Sequence, residues 1–197
     1  MSRFTKQAIL DAFTELLKTK SVSKITIQDI ADECHISRMT FYYHFKDIYD
    51  LIDWTVEEKL KKAVDNHFTY DTWLQGFHDV FRAFLREKAF YLKIFPSMDL
   101  RRIEVYMNVI ARKYIAAVIE EKKRELHIEM DPEEQKMLCE IIGYTMVGLL
   151  LNWILMGMKE DPDVVVQRFG NMMKGTLEMS LRRAALPSED RAKEPPA

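Results

Sequence analysis

The sequence has little of what small-site chemistry and rigid scaffolding require. Among 197 residues there are only two cysteines, Cys34 and Cys139, far apart and forming no CxxC pair. That excludes a disulfide framework and a thiolate metal cluster, and it suits a reducing compartment. There are six glycines, none before Gly76, and six prolines, three of which fall in residues 187–197. HExxH, GxSxG and a phosphate-cradling glycine loop are all missing, so no enzyme, metal or cofactor is expected. Acids such as Glu57, Glu58, Glu120 and Glu121 stand beside lysines and read as solvated, ion-pairing helix faces. The opening MSRFTKQAIL lacks a long apolar core and a small-residue cleavage site; no export signal and a cytoplasmic location are therefore expected.

An excess of charge of one sign is lacking as well. The formal net charge is −2, which argues against a protein that coats nucleic acid indiscriminately. The distribution is uneven, however. Residues 1–46 hold seven Lys or Arg against five Asp or Glu, whereas the remainder holds 22 against 26. The N-terminal end is the side suited to an anionic partner.

What is present is helical pattern. Apolar residues recur at spacings of three and four nearly throughout, which predicts an all-α chain of about nine helices. Start signals place them. Thr5 is expected to open the first helix, Thr26 a short second, Ser37 a short third and Asp47 a long fourth reaching about Asn66. Asp71 begins a helix to about Glu87, and a short one follows up to Pro96. A long one spans Asp99 to Leu126. Asp131-Pro132 and Asp161-Pro162 launch the last two, because proline fits the first helical turn. Ile141 to Met158 runs 18 residues without a charge, near the lower limit for a membrane span. A helix apolar all round also belongs between subunits, and that reading is preferred, with no membrane partner.

Residues 25–46, ITIQDIADECHISRMTFYYHFK, carry the function. Two short helices around a tight turn are the layout of a helix-turn-helix, whose second helix enters the major groove. Ile27, Ile30, Ala31, Ile36, Phe41 and Phe45 supply the inward face, and no acid occurs from Cys34 to Lys46. Outward, Arg38 suits a paired hydrogen bond to guanine, while Met39 and Thr40 suit base edges or a thymine methyl. Tyr42, His44 and Lys46 offer donors to phosphate oxygens, as do the hydroxyls and free amides at Thr26 and Ser37.

The run IADECHISRMTFYYHF resembles the signature of TetR-family regulators, and AILDAFTELL resembles that family's first helix. WILMG near the end of the eighth helix, the length and the helix layout resemble the family too, with some likeness to regulators of dihydroxyacetone kinase operons. The resemblance implies a DNA-binding helix-turn-helix domain over 1–46 and a helical regulatory and dimerisation domain over 47–186; the tail over 187–197, with three prolines and no large apolar residue, is expected to be disordered. It implies base reading by Gln28, Arg38, Met39, Thr40 and Tyr43, and phosphate contacts from Thr26, Ser37, Tyr42, His44 and Lys46. The sequence departs from the pattern at His35, where the turn usually has glycine, and at Met39, where a small residue is common. Ile48-Tyr49 replaces a Lys-acid pair, so a lysine phosphate clamp is missing.

In the C-terminal part, large aromatics abound. By the same resemblance Trp54, Trp73, Phe77, His78, Phe81, Tyr106 and Tyr114 are the candidate lining for a small apolar or aromatic ligand, with Asn108 as a further polar group. Control by a protein co-regulator is the alternative. The eighth helix is apolar beyond what one subunit's core covers, and Val164, Val165, Phe169, Met172, Met173, Leu177, Met179 and Leu181 follow. Pairing the last two helices with their symmetry mates buries that excess, so a homodimer on double-stranded DNA is expected.

Overall fold

Caps decide where the helices begin. The computed structural model describes residues 2–64, 69–173 and 175–184. The expected tail over 187–197 and the fourth helix's expected limit at Asn66 lie outside them. The helices are α1 (Ser2–Thr19), α2 (Ile27–Glu33), α3 (Arg38–His44), α4 (Ile48–Val64), α5 (Trp73–Arg86), α6 (Lys88–Ile94), α7 (Leu100–Leu126), α8 (Pro132–Leu155), α9 (Pro162–Met173) and α10 (Thr176–Ala184). Single 3-10 turns occur at Val22–Lys24 and Phe95–Ser97. No strand occurs among the described residues.

Most starts fall where the caps predict. Asp99 accepts from the Arg101 and Arg102 amides at 3.1 and 3.3 Å. Asp131 accepts from Glu133 N–H at 2.9 Å and Glu134 N–H at 3.4 Å, and Asp161 from Asp163 N–H at 2.9 Å. Two starts differ. Thr5 lies inside α1, which already runs from Ser2, and α5 begins at Trp73 rather than Asp71. The expected last helix is divided into α9 and α10, because Gly175 takes φ 76°, outside the helical range. Counted as one, the pair brings the total among the described residues to the nine the pattern anticipates.

Packing forms two compact units, one of Met1–Ala63 with Ala83–Ile103, the other of Val64–Arg82 with Glu104–Ala197. Within the first, α1 packs on α2, α3 and α6. Its core includes Ile9, Phe13, Ile30, Phe41, Leu51, Ile52, Phe84 and Ile94, all 2 % exposed or less. Within the second, α7, α8 and α10 share a core of Ile115, Ile119, Cys139, Ile142, Leu177 and Leu181. Burial pushes the Cys139 thiol up, and the Cys34 thiol likewise, which keeps both protonated and unreactive at neutral pH.

Asp53 on α4 is the costly group in the first unit. It is 7 % exposed and its Oδ2 meets Arg102 Nη1 at 2.7 Å. Burial raises its pKa, Arg102 opposes the rise, and Asp50, Asp47 and Asp99 add to it. A carboxyl raised in the folded state ionises more readily once the chain unfolds. Stability is therefore lost as pH rises through the interval between the unfolded and folded values, and the loss persists above it. Asp53→Asn is expected to melt above the wild type near neutral pH, with the difference closing on acidification to about pH 4. Melting curves across that range check it, and a variant less stable at pH 7 contradicts it.

Candidate nucleic-acid interface

Thr26 and Asp29 build the first cap by exchange. The Asp29 amide donates to Thr26 Oγ1 at 3.1 Å, and the Thr26 amide donates to Asp29 Oδ2 at 2.8 Å, a reciprocal capping box. With Lys20 Nζ 3.0 Å from Asp29 Oδ1, the carboxyl is pulled down to about 2, first by the Thr26 amide and then by Lys20. It stays ionised at any pH where the protein works. One of the acids near α3 is thus held by its own helix start.

The turn between α2 and α3 depends on His35, whose φ is 55°. This is the left-handed conformation in which glycine is usual and which histidine is among the few others to tolerate. The Ile36 amide then reaches the Ala31 carbonyl at 2.9 Å, closing the end of α2. Ser37 caps α3 by accepting from the Thr40 amide at 3.0 Å. Phe41, fully buried, meets Phe45 at 5.9 Å between ring centroids. Trp54 on α4 lies 5.4 Å from the Phe45 ring, with Lys6 Nζ over both rings at 5.0 and 5.1 Å. A turn fixed at both ends and a wedged aromatic seam orient α3.

With that seam inside, the other side of α3 is open. Met39 is 77 % exposed and Tyr43 82 %. Thr26, Gln28, Ser37, Arg38, Tyr42 and Lys46 are exposed, and Thr40 and His44 half-buried. Arg38 opens the helix, directly after its cap. Gln28 Nε2 donates to Asp32 Oδ1 at 2.7 Å within α2, the hydroxyls of Ser37 and Thr40 lie 2.9 Å apart, and His44 sits edge-on to Tyr43 at 5.0 Å. Ile48 is half-buried and Tyr49 exposed, so no cation occupies the first turn of α4. The ten candidate residues all fall within Thr26 to Lys46, with the six of α3 on a single helix.

The seven candidate ligand-lining residues do not gather in this way. Trp73, Phe77 and Phe81 on α5 join a file of rings in the second unit. Trp73 and Phe77 each meet Phe169 of α9, at 6.0 and 5.5 Å, and Phe81 meets Trp153 of α8 at 4.8 Å. The sequence assigns Phe169 to the subunit interface and singles out neither it nor Trp153 as lining, because their helices meet α5 only after folding; Phe169 is buried within its own chain. His78 is turned to an ion cluster, its Nε2 2.5 Å from Asp163 Oδ1, with Arg82 Nη2 2.6 Å from both Asp163 oxygens. Arg82, then His78, hold the Asp163 carboxyl below its usual range. Tyr106 and Tyr114 are half-buried on α7. Trp54 packs in the first unit against Phe45, as described. Asn108, also on α7, is buried and donates to the Glu104 carbonyl at 2.9 Å, its Oδ1 carrying no partner.

Among the described residues no group of three His, Cys, Asp or Glu could hold a metal ion.

Comparison with known proteins gives matches over two stretches of the chain. Residues 9–53 match the family described as "Bacterial regulatory proteins, tetR family", and residues 71–175 match one described as "Transcriptional regulator C-terminal region". The chain is 22% identical over 156 residues to the HTH-type dhaKLM operon transcriptional activator DhaS of Lactococcus lactis, covering 79% of this chain and 82% of that one. It is 33% identical over 97 residues to the probable acrEF/envCD operon repressor of Escherichia coli, covering 45% and 42%. Among solved structures, the dihydroxyacetone kinase operon activator DhaS superposes with a TM-score of 0.69 at 19% identity, over 89% of this chain and 97% of that one. The TetR family repressor AlkX from Dietzia superposes at 0.56 and 17% identity, over 88% and 95%.

Proposed function

This chain belongs to the TetR family of bacterial transcriptional regulators, and we propose that it reads a palindromic operator as a homodimer through the outward face of α3. The observation that carries this is the exposed row led by Arg38, held rigid by Ser37 and by the buried Phe41–Phe45 seam. Arg38, Met39, Thr40, Tyr43 and Gln28 read bases, and Thr26, Ser37, Tyr42, His44 and Lys46 hold phosphates. The chain is a regulator and not an enzyme, like the relatives it matches.

The second copy docks on α8 and on the helices that follow it. The inward face of α8 is Cys139, Ile142, Val147, Leu150 and Trp153. Its outward face is also apolar: Met137, Ile141, Tyr144 and Leu155 are each more than half exposed. Among the described helices α8 alone is long and apolar enough to cross a membrane by length and composition, and two protein-covered faces account for that composition. Gly148 lies on the open side, and a Cβ built there meets nothing within 4 Å. A mid-helix glycine costs about 1 kcal/mol relative to alanine, so a close approach by a second chain gives it a reason. Exposed Met172 of α9 and Met179 of α10 extend the face.

Residues 1–46 read the DNA in this scheme, and 47–186 receive the signal and dimerise. The ring file of Trp73, Phe77, Phe81, Trp153 and Phe169 suits a small apolar or aromatic ligand; Tyr106 and Tyr114 are the further lining candidates, and a protein co-regulator is the other outcome of a binding screen. Either acts by changing the spacing of the two readers, about 34–36 Å on successive turns of the groove.

The reading is tested by selecting duplexes from a random pool with the purified full chain. Enrichment of an inverted repeat supports it, and no enrichment removes it. On the selected duplex, Lys46→Ala is expected to weaken all sequences alike. It should flatten the slope of log K against log salt by about 2, one phosphate per reader. An unchanged slope takes Lys46 off the backbone.

A further inference from the structure

By chain order, residues 83–103 belong to the regulatory half. They nonetheless pack in the same compact unit as the reader, and polar contacts tie them to it. Lys59 of α4 pairs with Glu87, which precedes α6, at 2.5 Å, and Arg102 of α7 with Asp53 of α4. The third contact has a different character. Lys93 Nζ on α6 donates to the Leu17 carbonyl at 2.5 Å and to the Lys18 carbonyl at 3.3 Å.

Those carbonyls end α1. The last four carbonyls of a helix have no amide of their own helix to accept from, and the negative end of the helix favours a cation. Leu16 is served by the Lys20 amide at 2.9 Å. No glycine follows Thr19 to cap the next two; the chain passes instead into the Val22–Lys24 turn. Lys93 supplies from 75 residues away what the local sequence withholds. Since α2 and α3 both pack on α1, a shift of α1 carries over to the reading helix.

We propose that Lys93 is a positioning residue for operator reading: from α6 it caps α1 and holds the reader in its docking pose. Its ammonium is engaged with carbonyl oxygens, so it is not a phosphate contact. The inference rests on the operator-reading dimer proposed above. Affinity scales with the fraction of each reader in the competent pose, and a dimer needs both. A threefold loss per reader is then about tenfold on the operator.

The test uses the full chain and the duplex enriched by wild-type selection, with anisotropy titrations at several salt concentrations. Lys93→Met keeps the apolar stem and loses the donors, whereas Lys93→Arg keeps a cationic donor. Lys93→Met is expected to bind about tenfold more weakly with an unchanged salt slope, and Lys93→Arg to stay within about twofold. In the free protein, hydrogen exchange at the end of α1 should quicken in Lys93→Met and not in Lys93→Arg. Wild-type affinity in Lys93→Met, or unaltered exchange, overturns the proposal. So does a slope reduced by about 2, which marks a phosphate contact instead. If the wild type enriches no duplex, the operator reading falls and takes the positioning role with it; unaltered exchange alone sinks only the role of Lys93.

Discussion

Arg38→Ala is expected to weaken binding to the selected operator by at least about 30-fold and to relax the preference at one base pair of each half-site. A bidentate arginine–guanine pair contributes roughly 1–3 kcal/mol of discrimination, about 5- to 150-fold per reader, and a symmetric dimer loses it twice. Arg38 is the residue of α3 placed to make such a pair. It follows the Ser37 cap, which accepts from the Thr40 amide, and it stands exposed while Phe41, one turn on, is buried. Lysine should not restore the preference, because an ammonium carries the charge without the planar pair of donors. Selections run in parallel on Arg38→Ala and the wild type decide it. If both return the same consensus at every position, Arg38 reads no base. A general loss of affinity with the consensus intact assigns it to the backbone.

Ile141→Asp is expected to have a larger effect by a different route. Ile141 is 55 % exposed and Tyr144 56 %, on the side of α8 away from its own core, so one folded chain tolerates the change. An isologous dimer does not, because the carboxylate appears on both sides of the symmetry axis and is buried without a partner. At micromolar concentration the variant should sediment as a single chain of 23.3 kDa, while the wild type sediments at twice that mass. DNA binding should fall by a factor on the order of 10²–10⁴, since the second reader is no longer tethered beside the first. Helical content and the melting of the monomer should survive. A variant that remains dimeric places the interface elsewhere, and a wild type that is monomeric and folded at that concentration removes the dimer.

Much of the reader is legible before folding because its determinants are short-range. The Thr26–Asp29 box, the Ser37 cap and the Phe41–Phe45 spacing each join residues three or four apart, which helical geometry brings together wherever the helix lies. His35 is legible for the same reason, since a left-handed turn is a property of one residue. Thr5 misleads as a start signal, because a residue that favours caps is also tolerated inside a helix when tertiary packing supports the turns around it.

The aromatic residues show the opposite case. Trp54, Trp73 and Phe81 have the same composition-level appearance, yet Trp54 closes the reader against Phe45 while Phe81 faces Trp153. Periodicity says which side of a helix is apolar, and it does not say which helix will cover it. His78 likewise looks like a polar group for a ligand until α9 brings Asp163 to its Nε2.

The order of the helices, most of their starts, the exposed polar side of α3 and the doubly apolar α8 follow from the sequence alone, because caps, turns and helical period act over a few residues. Only the tertiary structure decides that residues 83–103 join the reader, that Lys93 ends α1, and that the rings of α5 meet α8 and α9. Those contacts link positions 72 to 96 residues apart for the rings and about 75 for Lys93; chain closure over such distances is set by the summed packing of whole helices, and no local pattern encodes it.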